Sequence, residues 1–157
     1  MEEARTFRGM PVGGFGLAGT ELRRELTELV LAGTKTATAS LEVEWELDGD
    51  PVPVPGSREV VVDADGRYVA VLETTECRVL RMADVDDEFA RDEGEGFADA
   101  ADWRVAHERF WNGYIDSLRE RMGDPDLSLT NDTRIVCQRF RLVERFPEPI
   151  DPPDSVA

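Results

Sequence analysis

Gly33-Thr34-Lys35-Thr36-Ala37-Thr38-Ala39-Ser40 is where one kind of pattern gives way to another. Ahead of it, Leu22, Leu26, Leu29 and Val30 recur on one helical face, with Thr20 placed as an N-cap and Gly33 as a C-cap. After it, a strand is expected over roughly 35–46, ending near Trp45. On a regular strand Lys35, Ala37 and Ala39 share one side, and Thr36, Thr38 and Ser40 the other. Lys35 is the sole lysine; every other basic residue is Arg. A lysine sheds its charge when desolvated and an arginine does not, so this residue is either a chemical group or an ordinary surface lysine.

Outward from this stretch, the chain reads as one α+β domain. Residues 1–14, rich in glycine, form an irregular N-terminal arm, the domain spans 15–146, and a Pro- and Asp-rich disordered tail follows over 147–157. The Pro-rich run 48–57 is a loop. Arg58–Val62 is a short strand, Asp65-Gly66 marks a hairpin, and Arg67–Glu73 and Thr74–Arg81 are strands. Asp84 caps a short helix near 85–92, which leads into the acidic turn Asp92-Glu93-Gly94-Glu95-Gly96. Trp103, His107, Phe110, Tyr114 and Leu118 mark one long helix over about 100–121, and Thr133–Arg145 is the last strand. About six strands and two main helices imply a small curled or barrel-like sheet.

Composition narrows the partners. The net charge is −16, from 18 basic and 34 acidic residues. Nucleic-acid affinity rests on neutralising phosphates with Lys and Arg, so duplex DNA and long RNA are disfavoured. A small nucleoside-sized ligand or a short RNA suits the balance better. No run of apolar residues reaches the roughly 18 needed to span a bilayer, and Met1–Arg5 lacks the apolar core of a signal peptide, so no membrane partner and a cytoplasmic location are expected. Cys77 and Cys137 have no metal-ligand spacing and are expected as buried thiols; with one His, no metal cluster and no cofactor are expected.

Among the polar groups, Glu93 and Glu95 flank Gly94 and are either a solvated turn or carboxylates brought to a cleft. Glu73 lies within strand sequence and needs a basic partner if it points inward. Trp45 sits between acidic neighbours and is the best candidate for stacking on a base; His107, on an aromatic helix face, reads as a structural histidine. Lys35 and Thr38 fall on opposite strand faces, so they meet only if the backbone is irregular between them.

Five segments, Leu29–Ser40, Val71–Glu76, Glu88–Gly96, Trp103–Trp111 and Ile135–Val143, together resemble the ASCH domain proteins. The resemblance implies a PUA-like small β-barrel with flanking helices, and a cleft for RNA or modified nucleosides. It implies two activities, an amidohydrolase acting on an N4-acylated cytosine nucleoside or related modified nucleoside and a single-strand ribonuclease; the same cleft would also serve an RNA- or modified-nucleotide-binding module without catalysis. For the amidohydrolase, the motif carries over to Lys35, Thr38 and Glu93 as catalytic residues, with Glu95 a local substitute for Glu93. Thr36, Ser40, Trp45, Glu73 and Glu95 are then expected around the substrate. The chain lacks the arginine that follows the second motif threonine in the small amidohydrolases, having Ser40 there, and it carries the Trp103–Trp111 helix in addition.

Overall fold

The computed structural model describes residues 6–153. A single six-stranded sheet is built from β1 (Thr6–Phe7), β2 (Met10–Gly13), β3 (Ala37–Leu41), β4 (Arg58–Val62), β5 (Tyr68–Arg81) and β6 (Arg134–Ile150). Its spatial order is β1-β2-β4-β5-β6-β3. The centre is the long antiparallel pair β5–β6, whose three register irregularities bend it. The two edge strands, β1 and β3, do not pair with each other, so the sheet stays open and the expected barrel is not closed. Bulges supply the curl; closure would need a hydrogen-bonded seam between the two edges.

The helices are α1 (Glu21–Leu31), α2 (Glu42–Asp48), α3 (Asp87–Asp92), α4 (Ala100–Asn112) and α5 (Ile115–Met122). α1 begins where the Thr20 hydroxyl accepts from Arg23 N–H, and its buried Leu26 and Val30 lie against Val61, Leu72 and Phe140 of the sheet. A second apolar cluster joins α3, α4 and α5 to β3 and the far ends of β5 and β6 through Phe89, Trp103, Trp111, Leu118 and Ile135. A third, around Val60, Tyr68, Val71 and Phe146, packs against Phe7, Met10 and Val12.

Several expected elements differ in extent. The strand at Lys35 begins only at Ala37 and stops at Leu41, and residues 42–48 turn into α2, so Trp45 is helical. The Glu42-Val43-Glu44-Trp45-Glu46-Leu47 run carries good helix formers, and Gly49, left-handed at φ 72°, ends it. The strands on either side of Glu73 are one, β5. The helix over 100–121 is two, divided at Gly113 and Tyr114. Within the expected arm, β1 and β2 join the sheet, β2 pairing parallel with β4. β6 continues through Pro147–Ile150, inside the expected tail; residues 1–5 and 154–157 lie outside the described residues. No helix among the described residues is long and apolar enough to cross a membrane.

One charged group sits uneasily in this frame. Glu59 of β4 is opposite Leu72 and so shares the α1-facing side of the sheet. Its carboxylate lies where a side chain at position 13 would begin, 3.3 Å from the Cβ that Gly13 lacks. No cation among the described residues is within ion-pair distance, and burial pushes its pKa up to about 7. A carboxyl that holds its proton more tightly folded than unfolded loses stability as pH rises from about 4.5 through about 7. Glu59→Gln should therefore be more stable than the native chain above neutrality, by on the order of 2 kcal/mol, and equal to it near the lower limit. Urea unfolding across that pH range measures the difference.

Candidate active site

Two helix ends meet back to back and place the polar residues. α1 closes through Gly33, at φ 77°. Gly33 N–H donates to Val30 O (3.1 Å) and Thr34 N–H to Leu29 O (3.0 Å), the paired bonds of a Schellman motif. α3 closes at Gly94, at φ 71°, whose N–H donates to Arg91 O (3.0 Å). The two turns touch so closely that a Cβ on Gly94 would lie 2.2 Å from Thr34 O and 2.8 Å from Lys35 Cα. Thr36 N–H then donates to Asp92 O (3.0 Å), and Phe140 N–H to Thr36 O (3.0 Å), before β3 starts.

This irregular backbone answers the strand-face objection. Lys35 belongs to the helix exit rather than to the strand, so alternation does not separate it from Thr38. Lys35, Thr38, Glu93 and Glu95 all line one cavity of about 180 Å³ between α1 and α4, over the edge strand β3. Its apolar walls include Phe15, Leu22, Leu26, Phe97, Phe110 and Trp111. Phe15 and Gly16 are held there by Arg23, whose guanidinium donates to Phe15 O (3.2 Å) and Gly16 O (2.9 Å). Gly14 leaves room for that guanidinium, 2.6 Å from where its Cβ would be.

Lys35 is buried, at 2% exposure, and Glu93 at 1%. The ammonium donates to Glu95 Oε2 (2.9 Å) and to Glu93 O (3.3 Å), and it stands 3.9 Å from Glu93 Oε1. The Phe15 ring centre is 5.9 Å from it. Glu93 Oε2 lies 3.2 Å from His107 Nε2, yet neither Glu93 oxygen receives a well-directed hydrogen bond. A buried carboxylate with lone pairs unspent is set up to take a proton or a substrate hydrogen bond.

Among the described residues, Glu93, Glu95 and His107 each bring a ligand-type atom to within 4.8 Å of the other two. Sequence spacing offered no such cluster, because the three come from a turn and from the helix after it. The Lys35 ammonium already supplies a cation at this place. The histidine itself was legible only as a structural residue; its stacking on Trp103 (4.3 Å between ring centres) fits that, whereas its approach to Glu93 does not.

The remaining expected residues lie elsewhere. The Thr36 hydroxyl is exposed and donates to Asp92 O (3.2 Å). Ser40 Oγ accepts from Trp45 Nε1 (2.9 Å), a strand-to-helix tie outside the cavity. Glu73 bonds Arg141 and Arg58, which hold its carboxyl below the usual range, on an exposed part of the sheet. These four do not line the cavity, so the geometry gives them no contact with a ligand there. Cys137 is buried, its pKa pushed up to about 12 by burial and then by the Glu93 charge, and Cys77 is also raised by burial; neither is a poised nucleophile.

A family model described as the ASCH domain matches residues 14–144. The chain belongs to the ASCH domain family. Among solved structures it is similar to protein EF3133 from Enterococcus faecalis V583, described by the family DUF984, at 26% identity and a TM-score of 0.74, covering 87% of this chain and 77% of that one. It is also similar to an ASCH domain from Lactobacillus crispatus JV V101, at 25% identity and a TM-score of 0.70, covering 85% and 79%. No curated protein matches it. The matched region of this ASCH domain takes in every residue of the cavity.

The contact between the two helix ends gives a direct test. Gly94→Ala meets both a left-handed backbone and the Thr34 carbonyl, and should cost at least about 2 kcal/mol while disturbing the Lys35 pocket. Gly96→Ala, at φ 93° but with nothing within 4 Å, should cost only about 1 kcal/mol. Urea midpoints of the two variants separate close packing from backbone strain.

Proposed function

We propose that this ASCH domain is an amide hydrolase that deacylates an N4-acylated cytosine nucleoside or a closely related modified nucleoside. The observation that supports it is the convergence of Lys35, Thr38 and Glu93 on one small, mainly apolar cavity. That volume lies below the roughly 300–1,000 Å³ of drug-sized pockets, which favours a base-sized fragment carrying a short acyl group. Aromatic walls suit the flat face of a base.

The chemistry divides among three groups. The Thr38 hydroxyl, or a water held by it, attacks the acyl carbonyl carbon. Glu93 takes the proton released by that attack. Lys35 stabilises the negative charge that develops on the carbonyl oxygen, in a site from which Lys35 and its walls exclude most water. The C–N bond then breaks, and Glu93 gives its proton to the departing N4 amine. If Thr38 is the nucleophile, a water repeats the sequence on the acyl ester and releases the carboxylic acid. Glu95 bonds the Lys35 ammonium and fixes its direction.

Charge favours a nucleoside over RNA. Lys35, the one lysine or arginine among the cavity residues, is already bonded to Glu95, and the chain carries a net −16. A phosphate would meet two carboxylates and no free cation.

Incubation with N4-acetylcytidine should release cytidine and acetate; a folded protein that releases neither would overturn the assignment. Glu93→Gln should lower kcat by about 10²–10⁴-fold, as for loss of a general acid–base. Lys35→Met should lower it by about 10²–10³-fold. Neither variant should gain or lose cleavage of single-stranded RNA, which a ribonuclease reading would require of Lys35. Steady-state kinetics and a gel assay on a short RNA measure the two.

A further inference from the structure

His107 is the only histidine in the chain and the residue of the site that the threonine–lysine–glutamate chemistry leaves unused. Its ring is fixed from both ends. Nδ1 lies 2.8 Å from Trp103 O, and a carbonyl only accepts, so Nδ1 carries a proton. Nε2 lies 3.2 Å from Glu93 Oε2, at ion-pair distance but out of line for a directed hydrogen bond. A neutral imidazole with its proton on Nδ1 would set its electron-rich Nε2 beside a carboxylate oxygen, in a position where Glu93 is 1% exposed. One further proton, on either group, relieves that repulsion.

Charge and packing say on which side. Lys35, Glu93 and Glu95 sum to −1 around the Lys35 ammonium, and an uncompensated buried charge is strongly destabilising. An imidazolium brings the four groups to zero. The ring is also set among aromatic rings, stacked on Trp103 at 4.3 Å and tilted against Trp111 at 5.1 Å and Phe97 at 5.6 Å between centres. The Trp103 face favours a cation.

We infer that His107 is the positioning residue of the site: it holds both ring protons, completes a neutral Lys35–Glu95–Glu93–His107 tetrad, and anchors Glu93 Oε2 so that Oε1 alone is left to exchange protons with the reaction. The proton on Nε2 stays in place throughout. Oε1 accepts the proton from the nucleophile, Glu93 becomes neutral while Oε2 stays beside the imidazolium, and Oε1 passes that same proton to the leaving amine. This inference rests on the hydrolase reading for its role in turnover; the protonation of His107 does not.

With a single histidine, nitrogen NMR of the labelled protein needs no assignment. Near neutral pH both ring nitrogens should show protonated shifts in the native chain. In Glu93→Gln, Nδ1 should remain protonated while Nε2 moves to the unprotonated range, since the amide can donate to it. A native spectrum with Nε2 unprotonated would overturn the inference, placing the proton on Glu93, whether or not N4-acetylcytidine is hydrolysed. An unchanged Nε2 signal in Glu93→Gln would overturn it too. In turnover, His107→Gln, which can donate from its amide, should retain more activity than His107→Phe, and His107→Phe should lose about 10²-fold in kcat with little change in KM. Native kcat in a folded His107→Phe would refute the positioning role while leaving the hydrolase assignment intact; absence of hydrolysis by the native protein would remove the latter and leave the spectrum to decide the former.

Discussion

A lysine ammonium with 2% exposure is the constraint around which this ASCH domain is arranged. An isolated buried charge is far too costly to keep, so the chain must deliver carboxylates to it and hold them there. It does so from a single turn: Glu93 and Glu95 flank Gly94, and Gly94 is pressed against the peptide that carries Lys35. The two charges and their partners are thus brought together by backbone contact, and the side chains need little search to find each other. The same contact forces the chain off the strand path until Ala37, which is what frees Thr38 to share the cavity.

Around that centre the apolar clusters divide the labour. The α1 cluster and the α3–α4–α5 cluster sit on either side of the cavity, and the polar tetrad occupies the gap between them. Neither cluster alone encloses the site. β3, the edge strand beneath, is tied to β6 over Ala37–Leu41 and to α2 by the Ser40–Trp45 bond, so the floor is stiff even though it lies at the margin of the sheet.

Much of this was readable from residues. Helix α1, its Thr20 cap and its glycine stop follow from periodicity and turn chemistry, and Lys35 stood out as the lone lysine. Family likeness led to Thr38 and Glu93, and the acidic turn to Glu95; the structure brings all four to one cavity. Trp45 falls outside the cavity because helix formers take over where the strand pattern still continues, and Glu73 because strand alternation does not tell which face is solvated. The open sheet could not be told from a barrel, since closure depends on whether two edges far apart in sequence happen to bond. His107 belongs to the aromatic face of α4, as its periodicity implies; its second contact, with Glu93, crosses from one element to another and leaves no periodic trace.

The parallel pairing of β2 with β4 has a consequence for handling the protein. Phe15 and Gly16, part of the cavity wall, are separated only by Gly14 from Gly13, the last residue of β2. The wall is therefore suspended between a sheet bond on one side and the Arg23 clamp on the other. Trimming or fusing the N-terminus close to β2 acts on the cavity itself, although in the linear sequence it is about as far from Glu93 and His107 as the chain allows.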